Sequence, residues 1–268
     1  MADVKGAGAI EVRGLRKVFQ QSGTGELVVA IEALDFDVAE GERVAIVGQT
    51  GCGKSTFLNL LIGLDRPTAG RIVVGGRTPY EDFDHFRGAL AAVFQQDRLL
   101  PWRTALDNVR LPLELLGRDA TEQVTRARAW LARLGLERFA GAYPHELSGG
   151  MRQRVALARA FVIEPSLLLA DEAFGHLDEV TAAALRQTFV ELARTEGNTA
   201  ILVTHQLEEA IEIGGRILVF GRPGRLLADI DLRGCAPGSL VGLRADIQRM
   251  LHDNAADPRF TQPAKERA

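Results

Sequence analysis

The residues Gly48-Gln49-Thr50-Gly51-Cys52-Gly53-Lys54-Ser55 follow the pattern G-x-x-x-x-G-K-[ST]. The chemistry this suits is the binding of a phosphorylated nucleotide. Glycines let the backbone curl around an anion with its N–H groups pointing inward. A helix starting near Lys54 adds the positive end of its dipole. The lysine reaches the β- and γ-phosphates, and the Ser55 hydroxyl can ligate Mg²⁺. A plain glycine-rich turn is the alternative, but such a turn gives no reason for Lys-Ser at its end.

Two further stretches carry chemistry. Leu167-Leu168-Leu169-Ala170-Asp171-Glu172 is an apolar run released into two acids. A buried strand ending this way places carboxylates at the crevice where α/β sheets bind ligands. Beside a phosphate loop, Asp171 would hold Mg²⁺ and Glu172 would polarise an attacking water. Acids after a strand also serve as simple helix caps. Leu147-Ser148-Gly149-Gly150 precedes the apolar helix Val155 to Ile163. Ser148 could be only an N-cap. Ser-Gly-Gly at a helix start also makes an anion site from backbone N–H groups, a hydroxyl and the dipole. One nucleotide rarely needs two such sites, unless the second serves the nucleotide of a partner.

With these three motifs in this order, residues 10–225 closely resemble the ATP-binding-cassette (ABC) ATPases, and Leu147-Ser148-Gly149-Gly150 resembles their signature motif. The resemblance implies an α/β fold: a P-loop NTPase (RecA-like) core with an antiparallel β subdomain and an inserted α-helical subdomain. It implies ATP and Mg²⁺ as cofactors and a homodimer that holds each ATP between one phosphate loop and the other protomer's signature. It also implies roles residue by residue. Phe19 resembles the aromatic that stacks on adenine, although by itself it suits core packing as well. Gln95 resembles the glutamine that touches Mg²⁺ and water. Asp178, in Gly175-His176-Leu177-Asp178, resembles the aspartate that couples the two sites. His205, after Val203-Thr204, resembles the switch histidine at the γ-phosphate. Glu172, His205 and Gln95 are thus the expected catalytic residues, and Ser55, Gln95 and Asp171 the expected metal ligands. Nucleotide binding falls to Phe19, Gly48 through Thr56, Ser148, Gly149, Gly150 and Asp178.

Ala173 stands where the family usually has Pro, and His176 where it usually has a small residue. Gln95-Gln96-Asp97-Arg98-Leu99-Leu100-Pro101-Trp102-Arg103-Thr104, followed by Asp107-Asn108-Val109, resembles ATPases of the nitrate/sulfonate/taurine importer group. An exposed Pro-Trp pair suits a groove that receives a partner's helix; the alternative is an aromatic tucked against its own domain. The chain beyond residue 225 is too short for a regulatory barrel. The reading is therefore a minimal importer ATPase for a small nitrate-, sulfonate- or taurine-like anion. Its expected partners are transmembrane permease subunits and a solute-binding protein, and its expected place is peripheral, on the cytoplasmic face of the inner membrane. An exporter or lipid-trafficking ATPase, or a non-transport ATP clamp, is the alternative. Cys52, inside the loop, is expected to expose activity to a bulky thiol reagent, with ATP protecting.

The elements that must position these residues are legible around them. Val44-Ala45-Ile46-Val47 reads as a buried strand before the loop, and Thr56 to Ile62 as a helix after it. Residues 10–19 read as a strand near a sheet edge, and Leu34–Val38 alternates as a second strand. Further strands are expected at Arg71–Val74, Ala91–Phe94, Leu167–Ala170, Ala200–Val203 and Ile217–Phe220, the last ending the core. The strand–helix–strand rhythm of the later ones implies parallel pairing. From about 98 to 162 the pattern is helical, with Asp119-Ala120-Thr121-Glu122 resembling a capping box and Arg126, Arg128 and Arg133 as a solvated face. The nucleotide-binding domain is set at 1–235, and 236–268 is a short amphipathic helix followed by a loose tail.

Composition sets the outer limits. The chain has 268 residues, 46% hydrophobic and 25% charged, enough for a substantial core. A formal net charge of −3 gives no electrostatic footprint for nucleic acid. No apolar run approaches the roughly 18–20 residues that span a bilayer. Met1-Ala2-Asp3-Val4-Lys5 lacks the apolar core of a signal peptide. Two cysteines, Cys52 and Cys235, make no disulfide framework.

Overall fold

The computed structural model describes residues 9–21, 23, 25–175, 177–235 and 239–256. The expectations for the N-terminal five residues, for His176 and for the tail after residue 256 lie outside these. The described chain divides into two compact units: residues 84–201, and residues 9–83 together with 202–256.

In the second of these units six strands follow one another in the order β4-β1-β2-β9-β8-β3. They are β1 (Ile10–Gln20), β2 (Leu27–Val38), β3 (Arg43–Gly48), β4 (Ala69–Val74), β8 (Arg216–Gly221) and β9 (Gly224–Asp231). Between β3 and β4 lies helix α1 (Lys54–Leu61). β1 pairs antiparallel with β2 on one side and with the outermost strand β4 on the other, so it lies near the sheet edge, one strand in. Its alternating exposure marks one solvated face, and that pattern does not distinguish a face from an edge. β3 is an almost continuous buried run and pairs in parallel with β8 from Val44↔Arg216 to Gly48↔Phe220. Buried parallel strands read as unbroken apolar stretches for this reason.

The core does not end at β8. The turn Gly221-Arg222-Pro223-Gly224 is the bend of a hairpin, and β9 returns antiparallel along β8. The guanidinium of Arg216 grips the carboxylate of Asp229 across that hairpin at 2.6 and 2.5 Å. Phe57 of α1 packs with Phe36 and Phe220, the three ring centroids 5.6 to 6.3 Å apart. The expected C-terminal helix is α7 (Ser239–Ala256). Of its apolar stripe Ile247 is fully buried, whereas Met250 is 38% exposed. One polar hold on it is Asn254, whose side-chain oxygen accepts the Arg222 backbone N–H at 2.6 Å.

In the unit of residues 84–201, β5 (Leu90–Phe94) and β6 (Leu167–Asp171) pair in parallel, Leu90↔Leu167 through Phe94↔Asp171. β7 (Thr199–Thr204), which runs past the end of this unit, stands next to β6 in strand order. The helices are α2 (Ala105–Leu115), α3 (Ala120–Arg133), α4 (Gly149–Phe161) and α5 (Glu179–Thr195). Trp130 stacks on Phe161 at 5.4 Å, and Phe189 meets both Phe161 and Phe174. Asp119 caps α3 by accepting from the backbone of Thr121 and Glu122. The Glu122 side chain meets Arg126 instead of completing a capping box. Arg126 also holds the Val162 carbonyl and Glu164, and Arg133 holds Glu196, so that face is more than a solvated surface. The last helix of the chain before α7 is α6 (Leu207–Ile213), in the other unit.

Candidate functional site

The phosphate loop lies wholly within the second unit. β3 delivers Gly48, and α1 starts at Lys54. A Cβ on Gly48 would lie 2.4 Å from the Cys52 sulfur and 2.6 Å from the Phe220 carbonyl oxygen, so no larger residue fits. Gly53 has φ of 92° and closes to the Ala30 carbonyl, where a Cβ would stand at 2.6 Å. Both the left-handed backbone and the close approach demand glycine. No side chain caps α1 at Gly53, which leaves its first N–H groups to an anion. Lys54 is 8% exposed, and its ammonium donates to the carbonyls of Gly48 (2.5 Å) and Gln49 (3.2 Å). Ser55 is exposed at the helix start, and Gln49, Thr50 and Gly51 are exposed along the loop. A loop closed to a Cβ at Gly48 and Gly53, a buried ammonium and an uncapped helix start fit a nucleotide's phosphates with Mg²⁺.

Cys52 corrects one expectation. It is 1% exposed, and burial pushes its thiol above the ordinary range, with Lys54 pulling the other way. A buried protonated thiol is a poor target for a bulky reagent.

Phe19 and His205 belong to the same unit. Phe19 is 39% exposed, and the Lys17 ammonium sits 4.7 Å from its ring centroid. Lys17 in turn donates to Asp65 and to the Arg66 carbonyl. His205 is exposed at the end of β7. The residue before it, Thr204, donates its hydroxyl to the buried Glu209 at 2.5 Å and accepts the Gln206 N–H at 3.0 Å. That chain of bonds sets the turn that presents the imidazole.

The other unit holds the remaining expected residues. Because Phe94 and Asp171 are paired across β5 and β6, Gln95 and Glu172 leave adjacent parallel strands at the same level. Glu172 has φ of 48°, a left-handed conformation uncommon for a non-glycine residue. A cleft of about 420 Å³ opens beside Gln95, bounded by Asp97, Gly149, Arg152, Gln153 and Ala173. A second cleft of about 420 Å³ gathers Ser148, Gly149, Gly150, Arg154, Asp178 and Thr181. Ser148 caps α4 through the Met151 N–H and Asp178 caps α5 through the Thr181 N–H. Thus two helix N-termini and the basic Arg154 face one space, which suits an anion. The Thr181 N–H bond also holds the Asp178 carboxyl below the usual carboxylate range. At Gly150 a Cβ would meet Thr181 at 2.7 Å.

The loop after Gln95 is braced from below. Asn108 is fully buried; it accepts the Leu100 N–H and donates to the carbonyls of Leu100, Arg103 and Thr104. This pins the loop while Trp102 stays 71% exposed, so the aromatic does not tuck back. Arg159 donates to the carbonyls of Asp97 and Arg98, and Arg152 pairs with Asp97 at 2.9 Å. Sequence reasoning assigns no part to Asn108, Gln153, Arg159 or Glu209. The available signal is a polar residue set at a buried helical position.

A strand–glycine loop–helix of this build defines a P-loop nucleotide-binding protein. The family described as ABC transporter matches residues 31–175. The taurine import ATP-binding protein TauB of Rhizobium johnstonii is 42% identical over 216 residues, 80% of this chain and 81% of that one. The aliphatic sulfonates import ATP-binding protein SsuB of Rhodopseudomonas palustris is 40% identical over 256 residues, 93% of this chain and 85% of that one. Among solved structures, a dimeric post-hydrolysis state of the ATP-binding cassette MJ0796 bound to ADP and Pi aligns with a TM-score of 0.74 at 35% identity, covering 84% of this chain and 100% of that one. The chain belongs to the ABC transporter family, as an ATP-binding cassette. It is an ATPase that uses ATP with Mg²⁺. Among the described residues no helix is long and apolar enough to cross a membrane.

Proposed function

We propose that this chain powers import of a small sulfonate-, taurine- or nitrate-like anion, as one of two facing cassettes beneath permease subunits, with a solute-binding protein delivering the anion. The observation that carries this reading is its likeness to ATP-binding proteins of taurine and sulfonate import at 40–42% identity. The exposed Trp102 on a pinned loop supports a permease contact. The proposed place is peripheral, on the cytoplasmic face of the inner membrane. The proposed domain is 1–235, with a helical subdomain inserted at about 98–162, followed by the helix and tail of 236–268.

The site roles belong to the same reading. Lys54 and the N–H groups of residues 51–56 hold the triphosphate, and Phe19 stacks on the base. Ser55, Gln95 and Asp171 hold Mg²⁺, directly or through water. Mg²⁺ held there would neutralise phosphate charge. Glu172 accepts a proton from the attacking water, and His205 steadies the γ-phosphate. Ser148, Gly149, Gly150 and Asp178 face the partner's nucleotide.

The test is Glu172→Gln. Turnover should fall by about 10²- to 10⁴-fold while MgATP binding persists and a stable dimer accumulates. A near wild-type rate would remove Glu172 from its role. Deletion of the gene should abolish growth on taurine, alkanesulfonates or nitrate as the limiting sulfur or nitrogen source. Undiminished growth on all three would overturn the cargo class.

A further inference from the structure

We propose that Gln153 is a positioning residue that ties the seating of helix α4 to the placement of Gln95 and Glu172. The proposal rests on the roles given above to those two residues. Gln153 lies one turn into the helix that Ser148, Gly149 and Gly150 begin, and it is 4% exposed. Its amide nitrogen donates to the Ala173 carbonyl at 2.6 Å and to the Phe94 carbonyl at 3.3 Å. Ala173 directly follows Glu172, and Phe94 directly precedes Gln95. One donor group thus holds the two strand ends from which both functional side chains emerge.

The tie matters most at Glu172. A glutamate persists in the left-handed region only where its surroundings hold it there. The Gln153 bond to the next carbonyl fixes the far side of that turn. The rest of α4 is joined to the same region, since Arg152 grips Asp97 and Arg159 grips the carbonyls of Asp97 and Arg98. A helix of 13 residues moves as a rod. A shift of its N-terminus as Ser148 to Gly150 engage the partner's ATP therefore carries Gln153 along and re-aims Gln95 and Glu172 of its own chain. The state of one nucleotide is in this way reported to the hydrolytic residues that serve the other.

The experiment uses the full chain and two variants. Gln153→Met keeps the length and removes the donor; Gln153→Asn keeps the amide but withdraws it by one methylene. ATP turnover by the unaltered protein is measured first, and its absence would count against the function proposed above, not against this tie. Each variant should bind a fluorescent ATP analogue as tightly as the parent and should lose about tenfold in kcat with KM unchanged. In a Glu172→Gln background the Gln153 substitution should cost clearly less than tenfold, because the part of its effect that runs through the Glu172 carboxylate is already lost. A kcat near that of the parent in either folded variant, or a full additive loss in the double variant, overturns the proposal. Failure of both variants to fold assigns Gln153 to the core alone and overturns it equally.

Discussion

The ammonium of Lys54 donates to the carbonyl oxygen of Gly48 at 2.5 Å, so the phosphate loop closes on its own cation. A carbonyl is a weaker partner for ammonium than a phosphate oxygen, because charge-assisted bonds between ions are the strong ones. The loop is therefore built around the place where a phosphate enters. Lys54→Met should weaken ATP affinity by about 10- to 100-fold, the worth of one hydrogen bond to a charged group. Equilibrium titration with a fluorescent nucleotide checks this, with far-UV circular dichroism to show the fold retained. Unaltered affinity would mean the ammonium serves the loop alone.

The two cysteines should part company under labelling. Cys235 is exposed, whereas Cys52 is buried and its thiol is pushed up by that burial. At neutral pH a maleimide should modify Cys235 promptly and leave Cys52 almost untouched, as read by mass spectrometry of the digested protein. ATPase activity should survive that first modification. Rapid labelling of Cys52 in the folded protein would contradict the packing of the loop against Phe220.

Trp102 and Asn108 should separate docking from folding. Trp102→Ala removes an exposed side chain and should leave the melting temperature and the basal ATPase of the isolated subunit unchanged. It should sharply reduce co-purification with the permease. Asn108→Ala strips a buried residue of its bonds to three loop positions and should lower the melting temperature by several degrees. Retention of the permease by Trp102→Ala at the parent level would displace the proposed contact from this loop.

Acid should weaken the fold through carboxylates held below their usual range. Arg233 holds the Asp231 carboxyl down to about 2 by its side-chain and backbone bonds. The N–H groups of Thr121 and Glu122 lower Asp119, and that of Thr181 lowers Asp178. A folded value below the unfolded one of about 3.9 gives stability that is present above pH 4 and is lost as pH falls toward 2. All three groups are solvent-facing, which keeps each contribution small. The melting temperature should hold level from neutrality to about pH 5 and decline below about pH 4. Asp231→Asn should make that decline shallower, and an identical slope would exclude this pair as a cause.

Features encoded locally are legible in the sequence. The glycines of the phosphate loop, the apolar strands before Gly48 and Asp171, and the caps Asp119 and Ser148 all announce themselves within a few residues. Distant partners stay hidden. Nothing near Gln153 tells that it meets Phe94 and Ala173, 59 and 20 positions away. The tight space at Gly48 is bounded by Phe220, which arrives from β8, as well as by Cys52. β9 escapes notice because Gly221-Arg222-Pro223-Gly224 reads equally as a terminator and as a hairpin bend. β1 reads as a strand near the edge, and it stands second in strand order behind β4.

Asn254 grips the backbone of Arg222 from α7, and the Arg222 guanidinium lies about 4 Å from where a Cβ on Gly51 would project. Helix α7 thus reaches, through one side chain and one bend, to the rim of the phosphate loop. Truncations that remove residue 254 spare every recognised motif yet release the bend, so a shortened product could pass for an intact cassette in sequence while handling nucleotide less tightly.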